Sequence, residues 1–431
     1  MLSAASKDTR FRLTAGQAEE LVERFGTPLY VIDEAHLRQT IRRYLKAFRS
    51  AYSDSQIYFA SKANSTLAVL KIAYDEGCGI DVASEGELRA AMAAGVPASA
   101  CHLHGNNKTA EEIGFAIAVG VSQIVVDNFE EIETISDLTG KAPDIVLRLA
   151  PGVDPVTHHK ISTGQADTKF GFNIADGSAE KATRRCLELG LPLIGFHCHV
   201  GSQLLDPEAQ RSGGELIAKF AVSIADQTGF KATYLNVGGG LGVKYTNEED
   251  PTSVEEYCHL IVQSVTKALE GSGLHPTLAQ EPGRSLISES GVTLYRVGVI
   301  KTVPAKEIGT RTYVSVDGGL SDNPRPALYG AKYEIQSFNS PAATQKVTVS
   351  GKHCESDKLF EDVELPINLQ PGDLVQVLST GAYNSSMASN YNRYQRPATA
   401  LIRESGSYDL IQRRETFDEM LAREIVPEDL R

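Results

Sequence analysis

The chain lacks tryptophan altogether and holds only four methionines and six cysteines in 431 residues. Those cysteines, at positions 78, 101, 186, 198, 258 and 354, form no C-x-x-C pair and no compact framework. That excludes a disulfide scaffold and points to reduced thiols in a cytosol, most of them buried filler. No run of about eighteen apolar residues occurs, and the opening "MLSAASKDTRFRL" has no apolar signal core, so no membrane partner and a cytoplasmic location are expected. Long runs of one charge are missing too. The formal charge of −13 is spread along the chain, which makes nucleic acid or an anionic membrane a poor partner and a small molecule a better one. What is present is ordinary globular composition, 42% hydrophobic and 23% charged, in a length that exceeds one usual core.

From about residue 56 to 283, short β-rich runs alternate with helical patterns, as parallel β/α units do. Eight strands are expected: "IYFAS" (57–61), "GIDVAS" (79–84), "CHLHG" (101–105), "QIVVD" (123–127), "DIVLRLAP" (144–151), "LIGFHCHVG" (193–201), "YLNVGGG" (234–240) and "TLAQEPG" (277–283). Eight repeats imply a closed (β/α)8 TIM-type barrel, expected over 36–289. After about 290 the runs are strand-like without long helices, so 290–431 reads as an all-β domain, with the 1–35 segment, carrying "PLYVID", completing its sheet.

Barrel enzymes carry their sites on the loops that follow the strands. Here those loops hold Lys62, Asp81 with Ser84, His104, Asp127, Arg148, His199 with Ser202, Gly238 to Gly240, and Glu281 with Arg284. Any one of them alone reads best as a cap or loop hydrogen-bonder. Eight loops feeding one rim are harder to dismiss. "VGGGLG" (237–242) lacks the G-K-[ST] of a nucleotide loop and the spacing of a dinucleotide fingerprint. In barrels, however, loops seven and eight commonly hold a phosphate, whose oxygens can approach bare glycine N–H groups, with Gly283 and Arg284 of "EPGR" beside them. "FHCHVGS" places His197 and His199 on one strand face. Without a third ligand at recognisable spacing no metal is expected; His199 is better placed to stack on a flat cofactor, and His197 can be a hydrogen-bonded core histidine. Lys62, in the small and apolar setting of "FASKANS", can act as an amine nucleophile toward a carbonyl. An aldehyde bearing phosphate is pyridoxal 5'-phosphate (PLP), and Glu281 supplies the acid that a protonated pyridine nitrogen needs.

These residues stand in a run of motifs: "YFASKAN", "DVASEGEL", "HGNNKT", "HKISTGQADTKFGF", "GFHCHVGSQ", "NVGGGLG", "EPGRSL", "DNPRPALYGAKY", "HCESDKL" and "GAYNSSMASNYN". From about residue 27 to 397 the chain resembles the fold-type III PLP-dependent decarboxylases, and among them those that act on diaminopimelate. The resemblance implies that Lys62 bonds the cofactor and that His199 stacks on its ring. It implies that Ser202, Gly238, Gly239, Gly240, Gly283 and Arg284 lie at its phosphate, with Tyr383 at phosphate or substrate, and that Glu281 bonds the ring nitrogen. Arg284, Arg325, Tyr329, Glu355 and Tyr383 would clasp the substrate. Cys354 would be the proton donor to the α-carbon, from a loop that enters the partner's site in a homodimer with shared active sites.

The implied reaction is decarboxylation of meso-2,6-diaminopimelate to L-lysine, the last step of lysine biosynthesis. A thiol near pKa ~8.5 can protonate a carbanion at neutral pH. Arg325 suits the distal carboxylate and Glu355 the distal ammonium, and a site with both disfavours amino acids lacking either group. Related decarboxylases of ornithine, arginine, D-ornithine/D-lysine or carboxynorspermidine have no use for that arginine. A racemase would place arginine at the ring nitrogen, and a non-catalytic homologue need not keep Lys62, Glu281 and Cys354 together. One departure stands out: the family pattern has a small residue between the serine of "CES" and the aspartate, whereas here Asp357 follows Ser356 directly.

Overall fold

The computed structural model describes residues 8–138, 142–153, 167–306, 309–339, 343–356 and 358–431. Part of the "HKISTGQADTKFGF" motif (159–166) and Asp357 of the shortened loop lie outside them. The chain divides into two compact units, one made of Met1–Leu37, Lys244–Glu248 and Ile287–Arg431, the other of Arg38–Val243 and Glu249–Leu286.

Strand β1 (Leu29–Asp33) belongs to the first unit. The second unit opens with β2 (Ser55–Ala60), β3 (Gly79–Val82), β4 (Cys101–Leu103), β5 (Gln123–Val126) and β6 (Asp144–Ala150). It continues with the two-residue β7 (Phe172–Asn173), then β8 (Leu193–His197), β9 (Tyr234–Asn236) and β10 (Thr277–Gln280). All pairings are parallel, in the order β5-β4-β3-β2-β10-β9-β8-β6, and β5 also pairs β6. The eight-stranded barrel is therefore closed, and β7 hangs on β6 as a strand that the apolar pattern does not reveal. Helices between strands start on side-chain caps, such as Ser84 for Glu85–Ala93 and Thr109 for Ala110–Val119, each accepting a backbone N–H that the first helical turn leaves unpaired. Ser84 is thus a cap rather than part of the polar rim's chemistry.

Several strands stop two to four residues before the extent expected from sequence. β8 ends at His197, not 201, and β9 at Asn236, not 240. Beyond Asn236 the backbone turns at Gly238, with φ of +70°, a conformation that favours glycine. Inside the barrel the side-chain period of two sets layers: Tyr58, Val125, Val146, Tyr234 and Ala279 pack together, and one pleat beyond Tyr234 comes the amide of Asn236.

In the first unit, β11 (Gly291–Ala305), β12 (Gly309–Val316), β13 (Ile335–Ser337), β14 (Thr344–Ser350), β15 (Phe360–Pro366), β16 (Leu374–Val377), β17 (Ala398–Ile402) and β18 (Tyr408–Gln412) form one sheet with β1. β1 lies between β11, antiparallel to it, and β17, parallel to it. Leu29 and Val31 pack with Leu21, Leu294, Ala400 and Ile402 in this unit's core. Among the described residues no helix is long and apolar enough to cross a membrane.

Candidate active site

Within the barrel unit, the sequence-predicted residues converge on Glu281, which follows β10 directly and is 7% exposed. Its Oε1 accepts hydrogen bonds from His104 Nε2 at 2.8 Å and Asn236 Nδ2 at 2.7 Å, and its Oε2 accepts one from His197 Nε2 at 3.0 Å. Burial alone would raise the carboxyl, but His104 and His197 more than offset it and hold Glu281 well below the usual carboxylate range. Burial drives His104 well below its ordinary value. The cage is therefore a carboxylate anion held by N–H donors, with His104 serving as a neutral donor.

Expected as a rim residue, His104 acts as a positioning group, and His197 is indeed a hydrogen-bonded interior histidine. Asn236 was not singled out from sequence. Its position one pleat before the glycine loop is the only signal, and its role shows in three dimensions: Oδ1 accepts the Gly238 N–H at 2.9 Å while Nδ2 serves Glu281. One amide therefore ties the glycine loop to the acid. The loop needs its glycines, since a Cβ on Gly239 would sit 2.2 Å from the Glu281 carbonyl oxygen. His104, His197 and Glu281 also bring ligand-type atoms within 4.8 Å, a convergence invisible in sequence spacing, but both imidazole Nε2 atoms are engaged by the carboxylate.

Below His104 lies His102, fully buried and stacked on Tyr58 with ring centroids 4.0 Å apart at 18°. Burial lowers its pKa from 6.5 to about 4. The unfolded chain therefore takes up this proton first, and stability falls as pH drops from 6.5 to about 4, then levels off below both values. The expected contribution is about 3 kcal/mol. His102→Phe keeps a ring on Tyr58 and removes the titration. Urea midpoints across that window should fall less steeply in the variant, and equal slopes would contradict the assignment.

Arg284 is 6% exposed, and its Nε and Nη2 both donate to Ser202 Oγ, at 3.2 and 3.0 Å. Gly283 packs where a Cβ would meet Ala60 and Ala63 at 3.0 Å, on either side of Lys62. Lys62 sits in the short helical turn Ser61–Ala63 after β2, pinned by Ser61 Oγ donating to Glu87 at 2.8 Å. Its side chain is exposed, while its small neighbours Ala60, Ser61 and Ala63 are buried. His199 lies just past β8, half-buried, and burial followed by the nearby charges of Lys62 and Arg148 pushes its pKa well down, leaving a neutral ring. Burial, then the charge of Glu281, raises Asp81 well above the usual carboxylate range. Asp127 and Arg148 have structural partners: Asp127 accepts the Gly171 N–H at 2.9 Å and lies 3.7 Å from Arg148, whose guanidinium covers Phe170.

The remaining predicted residues belong to the first unit and form two groups. Arg325 opens the short helix Arg325–Tyr329, is 5% exposed, and donates to Tyr245 at 3.1 Å. Its guanidinium lies within 6.0 Å of the rings of Tyr245, Tyr329, Tyr333 and Tyr383. Burial would lower its pKa, but the surrounding tyrosine oxygens raise it. Its Nε is buried without a hydrogen-bond partner among the described residues, a donor set suited to an anion. Tyr383 holds φ at +61°, strained for a ring-bearing residue and of the kind that collects at functional sites. Tyr245 and Tyr333 were missed in sequence; Tyr333 ends the quoted "GAKY", but nothing local marks Tyr245.

The second group is Cys354 and Glu355, both exposed. Cys354 N donates to Asn392 Oδ1 at 3.0 Å, and the Tyr391 hydroxyl donates to Glu355 Oε1. The other five cysteines are buried, with thiols pushed up to about 12 chiefly by that burial, so Cys354 is the accessible one.

Residues 38–288 match the family described as "Pyridoxal-dependent decarboxylase, pyridoxal binding domain". Over 409 residues, covering 93% of this chain and 92% of the relative, the sequence is 44% identical to diaminopimelate decarboxylase of Bacillus subtilis. It is 42% identical over 446 residues to that of Synechocystis, covering 100% of this chain and 93% of the relative. A crystal structure of diaminopimelate decarboxylase from M. jannaschii in complex with L-lysine superposes with a TM-score of 0.89 at 35% identity, covering 98% of both chains. With a closed barrel around a caged Glu281 and likeness of this extent, the chain belongs to the diaminopimelate decarboxylase family of pyridoxal-dependent decarboxylases.

Proposed function

We propose that this protein is a PLP-dependent carboxy-lyase that removes CO2 from the D-configured centre of meso-2,6-diaminopimelate and releases L-lysine, the last step of lysine biosynthesis. The observation that carries this reading is the Glu281 carboxylate, kept anionic inside a barrel by three N–H donors. Such an anion suits a protonated pyridine nitrogen. The other residues fit the same cofactor. Arg284, Ser202 and the backbone at Gly238, Gly239, Gly240 and Gly283 suit its phosphate, Lys62 its aldehyde carbon, and the neutral ring of His199 one face of its ring.

When bound, PLP supplies the electron sink for the pair left behind as CO2 departs. The chain's own residues do the rest. Arg325 takes the distal carboxylate as a bidentate fork, within the ring-walled cluster of Tyr329 and Tyr383, and Glu355 takes the distal ammonium. Cys354 Sγ gives its proton to the α-carbon. Its loop serves the site of a second subunit, which makes the homodimer the working unit, and an accessible thiol of this kind fits the reducing cytoplasm.

CO2 release from meso-diaminopimelate, measured beside L-ornithine, L-arginine and D-lysine, tests the reading. The buried guanidinium of Arg325, which only diaminopimelate can pair with a distal carboxylate, should favour it in kcat/KM by about 10³-fold or more. Comparable turnover of ornithine would overturn the substrate assignment and leave a relaxed decarboxylase of basic amino acids. Arg325→Lys, which loses the fork, should raise KM for diaminopimelate by about 10- to 100-fold.

A further inference from the structure

We infer that Asn392 and Tyr391, in the "SNYNRY" stretch that the reaction chemistry leaves without a role, are positioning residues that latch the loop bearing Cys354 and Glu355. The inference rests on the reading of Cys354 as proton donor and Glu355 as reader of the distal ammonium.

The loop itself offers little to hold those two side chains. Lys352, Cys354, Glu355 and Ser356 are all exposed, and none belongs to a strand or helix. Beside the Lys352 N–H bond to the Gly318 carbonyl at 3.0 Å, most of its fixed points come from residues 389–394. The amide oxygen of Asn392 accepts the Cys354 N–H at 3.0 Å, Tyr391 donates to Glu355, and the Tyr394 hydroxyl donates to the Lys352 carbonyl at 3.2 Å. Lys352 Nζ lies 4.3 Å from the Tyr394 ring centroid, and the buried His353 ring meets Tyr394 edge-on at 4.9 Å. Four successive residues of one loop are thus held by three residues of the other.

Both loops share an anchor in Ser321, which is buried. Its N–H donates to His353 Nε2 at 3.3 Å, and its carbonyl accepts the Ser389 N–H at 2.8 Å. Behind the latch, Asn390 Nδ2 donates to the Tyr394 carbonyl at 3.1 Å and to Glu415, which also accepts from Arg396 at 2.7 Å. Asn392 reaches Cys354 from a left-handed backbone, φ +53°, which asparagine tolerates better than most residues.

Each exposed tie is weak alone, but a proton donor must meet its carbon within a few tenths of an ångström, and loop order fixed beforehand is not lost on binding. In the step concerned, the bond to the carboxylate breaks, its electron pair stays with the substrate and cofactor, and the α-carbon takes the proton from Sγ. The thiolate is then reprotonated from water. A loosened Cys354 lets water compete for that carbon from either face.

The test uses the holoenzyme with meso-diaminopimelate in D2O, reading kcat, KM and the facial selectivity of deuterium at the carbon that loses CO2. Asn392→Gly accepts the left-handed backbone but removes the acceptor, whereas Asn392→Asp keeps an acceptor oxygen. The glycine variant should lose about 10- to 100-fold in kcat with KM changed less than about 3-fold, and should place deuterium on both faces. The aspartate variant should stay within about 3-fold of the parent and keep one face. Tyr391→Phe should instead raise KM about 10-fold with kcat little changed, since it releases Glu355 rather than Cys354. A folding role alone would alter cofactor absorbance and active fraction, not facial selectivity. Parent-like kcat and selectivity in Asn392→Gly, alongside loss of both in Cys354→Ala, overturns the latch and leaves the proton-donor reading standing. Parent-like kcat in Cys354→Ala overturns the proton-donor reading and the latch with it.

Discussion

Lys62→Ala is expected to lower kcat/KM by about 10⁴-fold or more, because the proposed reading gives Lys62 the amine that meets the cofactor's aldehyde carbon. The residue's setting supports a dedicated position. The turn Ser61–Ala63 is fixed by Ser61 on Glu87, which also accepts the Ala83 N–H at 2.7 Å, and Gly283 packs against the alanines at 60 and 63. The near-visible absorbance of lysine-bound PLP should vanish in the variant, and its persistence would overturn the role given to Lys62. The same variant tests the shared site. Mixed one to one with Cys354→Ala, it should restore about a quarter of the parent activity, since half the dimers are then mixed and each carries one complete site. No recovery after demonstrated subunit exchange would place both groups in sites built from one subunit.

Glu281→Gln is expected to cost about 10²- to 10³-fold in kcat while the lysine-bound absorbance remains, which separates it from the Lys62 variant. The amide cannot match the carboxylate's pattern of bonds. Whichever way it turns, its NH2 faces His197 on one side or His104 and Asn236 on the other, all of which donate. The mismatch should lower stability by about 1–3 kcal/mol, and the neutral group should hold the ring nitrogen's proton less well. Urea midpoint and kcat should therefore both fall. A parent-like kcat would contradict the role of Glu281, and an unchanged midpoint would contradict the three-donor cage.

The barrel was legible because its signal is local: parallel strands and covering helices each carry their own period, and eight repeats leave few ways to close. Strand ends were overread for a physical reason. The residues after β8 and β9 are as apolar or as small as those within them, and only three-dimensional pairing shows where the ladder stops. Candidates for the site could be named from sequence where chemistry concentrates in single residues, as at Lys62, Glu281 and Arg284. It was not legible where function is shared over distance. His104, His197 and Asn236 come from three different strand ends to one carboxylate, and Tyr245, Tyr333 and Tyr383 meet one guanidinium from three segments. No spacing rule joins them.

The place of β1 carries a consequence for how the chain is made. Leu29 pairs with Leu294 on one side and Ala398 on the other, so the strand synthesised first is sealed on its second edge only by one synthesised near the end. Every strand of the barrel emerges in between and can find its neighbours meanwhile. On a ribosome adding ~5–20 residues per second, β1 waits tens of seconds as an open apolar edge, the period in which chaperone binding matters most. Loss of the last strands therefore reaches back to strip Leu29 and Val31 of their cover, so truncation near the carboxyl terminus leaves the first-made strand as an open edge of the sheet.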